Sequence, residues 1–214
     1  MPIFHRETRW RLLLTLLYIL VPLASWAGEI AWTTVEKEAG DLLSRYIQID
    51  TTNPPGGEIA AGNFWKQVLV QEGIEAQVFE SQPERGVVYA RLKGNGEKKA
   101  LILLHHLDVV PAVKADWSVD PFAGEIKDGY VYGRGAIDCK GVAVAQFMTM
   151  ALLKRAGVAL TRDIIFLGTA DEEMGGRLGA GWFVEQHTDL IADAEFLLTE
   201  GGNIRIQDGQ RSYN

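Results

Sequence analysis

The stretch LLHHLDVV, residues 103–110, sets His105, His106 and Asp108 inside an otherwise apolar run. Each of these groups costs free energy to bury unless it finds a partner. Side chains alternate along a strand, so His106 and Asp108 share one face while His105 takes the other. An imidazole placed this way can bind a cation through one ring nitrogen while the other donates to the carboxylate two positions on, which fixes its tautomer. A lone His-x-Asp is more often a hydrogen-bonded core histidine, so the reading depends on what else arrives. Asp171, Glu172 and Glu173 follow the apolar run IIFLGTA, Glu200 follows EFLL, and Asp138 stands in the glycine-framed GRGAIDCKG ahead of a helical pattern. Adjacent glutamates can divide the work of hydrolysis, one binding a divalent cation and the other moving a proton from water to a leaving group. Asp138 can bridge two cations, or simply cap a helix.

The elements that must position these groups are legible in the patterning. Helical spacing marks 33–51, 63–73, 142–157 and 177–187. Strand-like runs cover 75–80, 87–94, 100–110, 163–170 and 194–200, and ALILL is apolar at every position, as a strand covered on both faces requires. Asp128-Gly129 between two short strands signals a hairpin. Strands alternating with helices specify an α/β fold with a mostly parallel sheet and helices on both faces. Its sites lie at the carboxyl ends of the strands, where His106, Asp108, Asp171, Glu172, Glu173 and Glu200 all fall. So many carboxylates at one edge repel one another unless a divalent cation joins them.

The gross numbers narrow the class. The 214 residues, 47% of them hydrophobic and 23% charged, suit a globular protein with a sizeable core. A formal charge of −7, with no basic cluster beyond the N-terminus, argues against a nucleic-acid partner. Arg6, Arg9 and Arg11 precede the apolar run 12–24 and the small residues Ala24 and Ala27, the pattern of a secretory signal peptide cut after Ala27. The run is short for an uncleaved anchor, so contact with a membrane is expected only through this segment. The mature protein is expected to be exported, periplasmic or secreted. With Cys139 as its single cysteine it forms no internal disulfide, and packing or a metal must stabilise it.

The motifs HLD, WSVDPF (117–122), YGRGAIDCKG, ADEEMGG and LLTEGG, with TTNPPGGE (51–58) as a softer element, resemble in order and spacing the zinc-dependent aminoacylase and carboxypeptidase family of co-catalytic metallopeptidases. The resemblance implies two zinc ions, cobalt or manganese being alternatives at such a site. His106, Asp138 and Glu200 would hold the first, and Asp138 would bridge to a second that is also held by Glu173. It further implies Glu172 as general base and acid, Asp108 as the carboxylate that orients His106, and a cis peptide between Asp138 and Cys139. The activity implied is amide hydrolysis in small peptides or N-acyl amino acids by a zinc-activated water.

Family members complete the second zinc with a later histidine and insert a lid and dimerisation domain. This chain reaches Asn214 with neither, since His5 lies in the signal, His105 faces away and His187 ends a helix. Residues 28–214 are therefore expected to be the first half of a two-zinc exopeptidase catalytic domain, weak or inactive alone, whose full-length form is a homodimer. Two alternatives stand beside this reading. One makes Cys139 a nucleophile with His106 as its base. The other is an exported, non-catalytic metal-binding fragment or degenerate paralogue.

Overall fold

The computed structural model describes residues 30–201, together with the backbone of 204–207 and 210–213. Residues 1–27, where a signal peptide is expected, lie outside the described residues. In chain order the elements are α1 (Trp32–Ile47), α2 (Glu58–Gln71), β1 (Ala76–Gln82), β2 (Arg85–Leu92), β3 (Ala100–His106), β4 (Glu125–Lys127), β5 (Tyr130–Tyr132), α3 (Gly141–Arg155), β6 (Ile164–Thr169), α4 (Trp182–Gln186), β7 (Ala194–Leu198) and a terminal ribbon of β8 (Ile204–Gln207) and β9 (Gln210–Tyr213).

The main sheet has the order β1-β2-β6-β3-β7. β3 pairs in parallel with β6 and with β7, whereas β2 is antiparallel to both of its neighbours. Four strands therefore run the same way and only β2 opposes them, so the sheet is mainly parallel as expected. The carboxyl ends of β3, β6 and β7 share one edge.

Alternation divides the strands between two apolar layers. Leu103, Leu107, Val88, Ala90, Ile164 and Phe166 face α1, α2 and α3, while Val87, Tyr89, Ile102, Ile165 and Leu167 face Phe183 of α4. Trp65 of α2 is fully buried at the centre of the first layer, its ring within 5.1 Å of Tyr46 and Phe166. The second layer rests on one short helix, and the outermost strand β7 leaves Phe196, Leu197 and Leu198 exposed.

Three boundaries differ from the expectations. α1 stops at Ile47 rather than 51, because the ammonium of Lys140 takes the carbonyls of Tyr46 and Ile49 at 3.2 and 2.6 Å and Asp50 turns the chain by accepting the N–H and hydroxyl of Thr52. α2 starts at Glu58, five residues before the expected 63, because the glycine pair ends the loop there and Glu58 Oε2 accepts the N–H of Gly57 at 3.0 Å. β3 ends at His106, although the chain stays extended to Val109, which exchanges main-chain bonds with Thr51 and Asn53. The expected hairpin forms, with φ of 52° at Asp128 and 81° at Gly129, the two positive values a tight two-residue turn needs.

Below the sheet, Asp163 gathers Arg91 and Lys93 at 2.9 Å each and the N–H of Gly94 at 2.8 Å. Burial raises its pKa, but these donors outweigh burial and hold it at about 2. The folded value lies below the unfolded one, so the stabilisation is complete above about pH 4 and is lost as pH falls toward 2. Asp163→Asn is expected to cost about 2 kcal/mol near neutrality. It should also flatten the dependence of the urea midpoint on pH between about 4 and 2.

Candidate metal centre

The strand-end edge brings the sequence-predicted groups together. His106 Nε2 lies 2.9 Å from Asp138 Oδ1, 3.0 Å from Glu200 Oε1 and 4.0 Å from Glu172 Oε2. His106 is the last residue of β3, Glu200 stands two residues past β7, and Glu172 and Glu173 sit in the turn after β6. Asp138 is carried by a kinked turn over Ala136–Lys140 that leads into α3, and its peptide bond to Cys139 is cis, as the resemblance implies. A cleft of about 450 Å³ opens over these groups, lined by His106, Asp138, Glu172, Thr199 and Glu200.

The hydrogen bond on the far side of the ring decides what Nε2 can do. His106 Nδ1 lies 2.9 Å from the main-chain carbonyl of Asp108, an obligate acceptor, so Nδ1 carries the hydrogen. Nε2 then faces two carboxylates, an arrangement that needs a positive charge among them, either a proton on Nε2 or a cation that displaces it. The titration tendencies agree. Burial lowers the His106 pKa, yet hydrogen bonds to Asp108, Cys139 and Asp138 raise it to about 12. Glu173 and Glu200 are both raised, first by burial and then by the charge of Asp138 and its neighbours. An imidazole nitrogen among carboxylate oxygens is a donor set that suits a divalent cation.

Two sets of groups converge closely enough to share an ion. One is His106, Asp138, Cys139 and Glu200, and the other is His106, Glu172 and Glu173. The expected ligands Asp138 and Glu173 thus fall in different sets joined through His106, although the charge of Asp138 still reaches Glu173. Glu172 is 56% exposed, so its carboxylate is open to the cleft.

Asp108 does more than the sequence reading assigns to it. Its carboxylate lies 3.5 Å from His106 Nδ1, and its carbonyl, at 2.9 Å, makes the closer contact. The carboxylate accepts the amide of Asn53 at 2.8 Å and the main-chain N–H groups of Glu172 and Glu173 at 3.1 Å each. Burial raises the pKa of Asp108, but the bonds from His106, Asn53 and the Glu173 N–H outweigh it and hold the group ionised. The residue orients the ring through its backbone and the acidic turn through its side chain.

His105 faces the helices, as alternation requires. It lies against Phe166 at 4.5 Å, Nδ1 donates to Gln146 Oε1 at 2.8 Å, and burial pushes its pKa down to about 3. Cys139 is fully buried and burial raises its thiol pKa, the reverse of what an activated nucleophile needs. His187 packs on Phe79, Trp182 and Phe183, remote in role from the cluster. Sequence reasoning missed Arg85, Glu58 and the task of Asn53, although the TTNPPGGE motif did flag two of these three residues.

A mainly parallel α/β sheet that gathers an imidazole and carboxylates at its strand ends defines a protein of the metal-site α/β class. The chain belongs to peptidase family M20/M25/M40, whose model matches residues 102–209. Aminoacylase-1B of Rattus norvegicus is 36% identical over 162 residues, 75% of this chain and 40% of that protein. The structure of an M20 family metallo-carboxypeptidase, Sso-CP2 from Sulfolobus solfataricus, superposes with a TM-score of 0.68 at 25% identity, covering 77% of this chain and 37% of the other. Human carnosine dipeptidase 1 shares the fold, with a TM-score of 0.70 at 22% identity over 81% of this chain and 40% of its own. The chain spans about 40% of the length of the curated relatives it matches.

Proposed function

We propose that the protein hydrolyses an amide bond in small peptides or N-acyl amino acids with the help of a bound divalent cation. The observation that carries this reading is the convergence of Asp138 and Glu200 on Nε2 of His106, whose ring is held by the Asp108 carbonyl. His106, Asp138 and Glu200 would hold one cation, and Glu173 with Asp138 would hold a second. We propose zinc, while such carboxylate-rich donors also accept cobalt or manganese. The cation, when bound, polarises the scissile carbonyl and acidifies the attacking water.

The remaining steps belong to the side chains. Glu172, exposed to the cleft and 4.0 Å from Nε2, takes the proton of the attacking water and passes it to the departing amine. Asp108 keeps the turn that bears Glu172 in place. The substrate class is supported by membership of the family and by similarity to an aminoacylase and a metallo-carboxypeptidase. A non-catalytic metal-binding role leaves the accessible Glu172 unexplained. Export of the mature chain from residue 28 and homodimerisation of the full-length protein belong to the same proposal. They rest on the N-terminal pattern and on the family resemblance.

The test is a panel of dipeptides and N-acyl amino acids offered to the full-length protein with zinc, cobalt or manganese. The expected result is turnover that a chelator abolishes and iodoacetamide spares. No turnover on any member with any metal, or turnover indifferent to the chelator, contradicts the reading.

A further inference from the structure

Asn53 and Arg85 touch neither the proposed cation nor the substrate cleft, yet they tie together the carboxylates behind it. Arg85 begins β2, and its Nη1 donates to Glu58 Oε1 at 2.6 Å while Nη2 donates to Asn53 Oδ1 at 2.9 Å. The amide nitrogen of Asn53 donates onward to Asp108 Oδ2 at 2.8 Å. Glu58 Oε1 then accepts the main-chain N–H of Asp171 at 3.3 Å, and the two oxygens of Asp108 accept those of Glu172 and Glu173 at 3.1 Å. Three consecutive N–H groups of the acidic turn are thus received by two fully buried carboxylates, both organised by one guanidinium.

The platform is built tightly. Asn53 is fixed beside Asp108 because its own N–H donates to the Val109 carbonyl at 2.9 Å and Thr52 bridges to Val109. Gly56, at φ 100°, closes the loop over the arginine, where a Cβ would come within 2.4 Å of Nη1. Such a network holds a backbone in one arrangement only when every member is satisfied.

We propose that Asn53 and Arg85 are positioning residues that set the backbone of 171–173, and through it the carboxylates of Glu172 and Glu173, against His106. The proposal rests on Glu172 as the proton-transferring group. The direction of the Asn53 amide makes it specific, with oxygen toward Arg85 and nitrogen toward Asp108. Asn53→Asp keeps the shape and the contact with Arg85 but turns a carboxylate on Asp108. Arg85→Lys keeps the charge but, with a single ammonium, replaces a fork that reaches two partners. Asn53→Ser removes the donor without adding charge, and serves if the aspartate variant does not fold.

The experiment is amide hydrogen exchange of the metal-free protein, with kcat and KM measured on whichever substrate the wild type turns over. In Asn53→Asp and Asn53→Ser, protection at 171–173 is expected to fall by about 10-fold or more while β3 and β6 keep theirs. Misplacement of this size lowers kcat by about 10- to 100-fold with little change in KM. Arg85→Lys is expected to behave likewise and not to rescue. Unchanged protection at 171–173, or a loss spread evenly over β3 and β6, overturns the proposal. A wild type that hydrolyses nothing overturns the functional reading instead, and the exchange pattern still decides the positioning.

Discussion

Glu172→Gln is expected to lower kcat by about 10²- to 10⁴-fold, with KM and metal content close to those of the wild type. Glutamine keeps the volume of the side chain, and the main-chain N–H at 172 still donates to Asp108 Oδ1. What is lost is the capacity to take a proton from water and return it to the amine. His106, Asp138 and Glu200, the proposed ligands of the first cation, stand on other segments and are untouched by the change. Steady-state kinetics together with elemental analysis of the dialysed protein check the split. Loss of metal alongside activity means that Glu172 is itself a ligand and that the roles of Glu172 and Glu173 must be exchanged.

Asp108→Ala is expected to destabilise the fold by about 3–5 kcal/mol, read from urea unfolding. The substitution leaves the Asn53 amide and the N–H groups of Glu172 and Glu173 without their acceptor, all at a residue that is fully buried. Asp108→Asn keeps one oxygen in place and is expected to cost about half as much. The bond from His106 Nδ1 to the main-chain carbonyl at 108 survives either change, so the ring keeps its tautomer. A loss below about 1 kcal/mol for the alanine variant means that the platform under the acidic turn is less cohesive than its bonds suggest.

The division of labour around Asp108 marks the limit of what the chain discloses by itself. Alternation along LLHHLDVV was enough to separate His105 from His106 and Asp108, because the two-residue period holds even past the end of the strand. The convergence of His106, Glu172 and Glu200 followed from three parallel strands sharing an edge, and the hairpin followed from Asp128-Gly129. The platform could not be read in that way. Its bonds join residues 32, 55 and 113 positions apart, and no local period links Asn53 to Arg85 or Glu58 to Asp171. Nor does a sequence distinguish the carbonyl of Asp108 from its carboxylate, though the structure gives them separate tasks. The early end of α1 has the same origin, since the cation that takes its last carbonyls is Lys140, 94 residues from Tyr46.

Zinc titration of the protein at neutral pH, compared with His106→Ala, tests the metal centre most directly. Removing a mere supporting group around a bound metal costs ~10- to 100-fold in affinity, and His106 is proposed as a ligand. Tight binding by the wild type and a loss of ~100-fold or more in His106→Ala is the predicted result. A wild type that binds no divalent cation, or a variant that titrates like the wild type, contradicts the account.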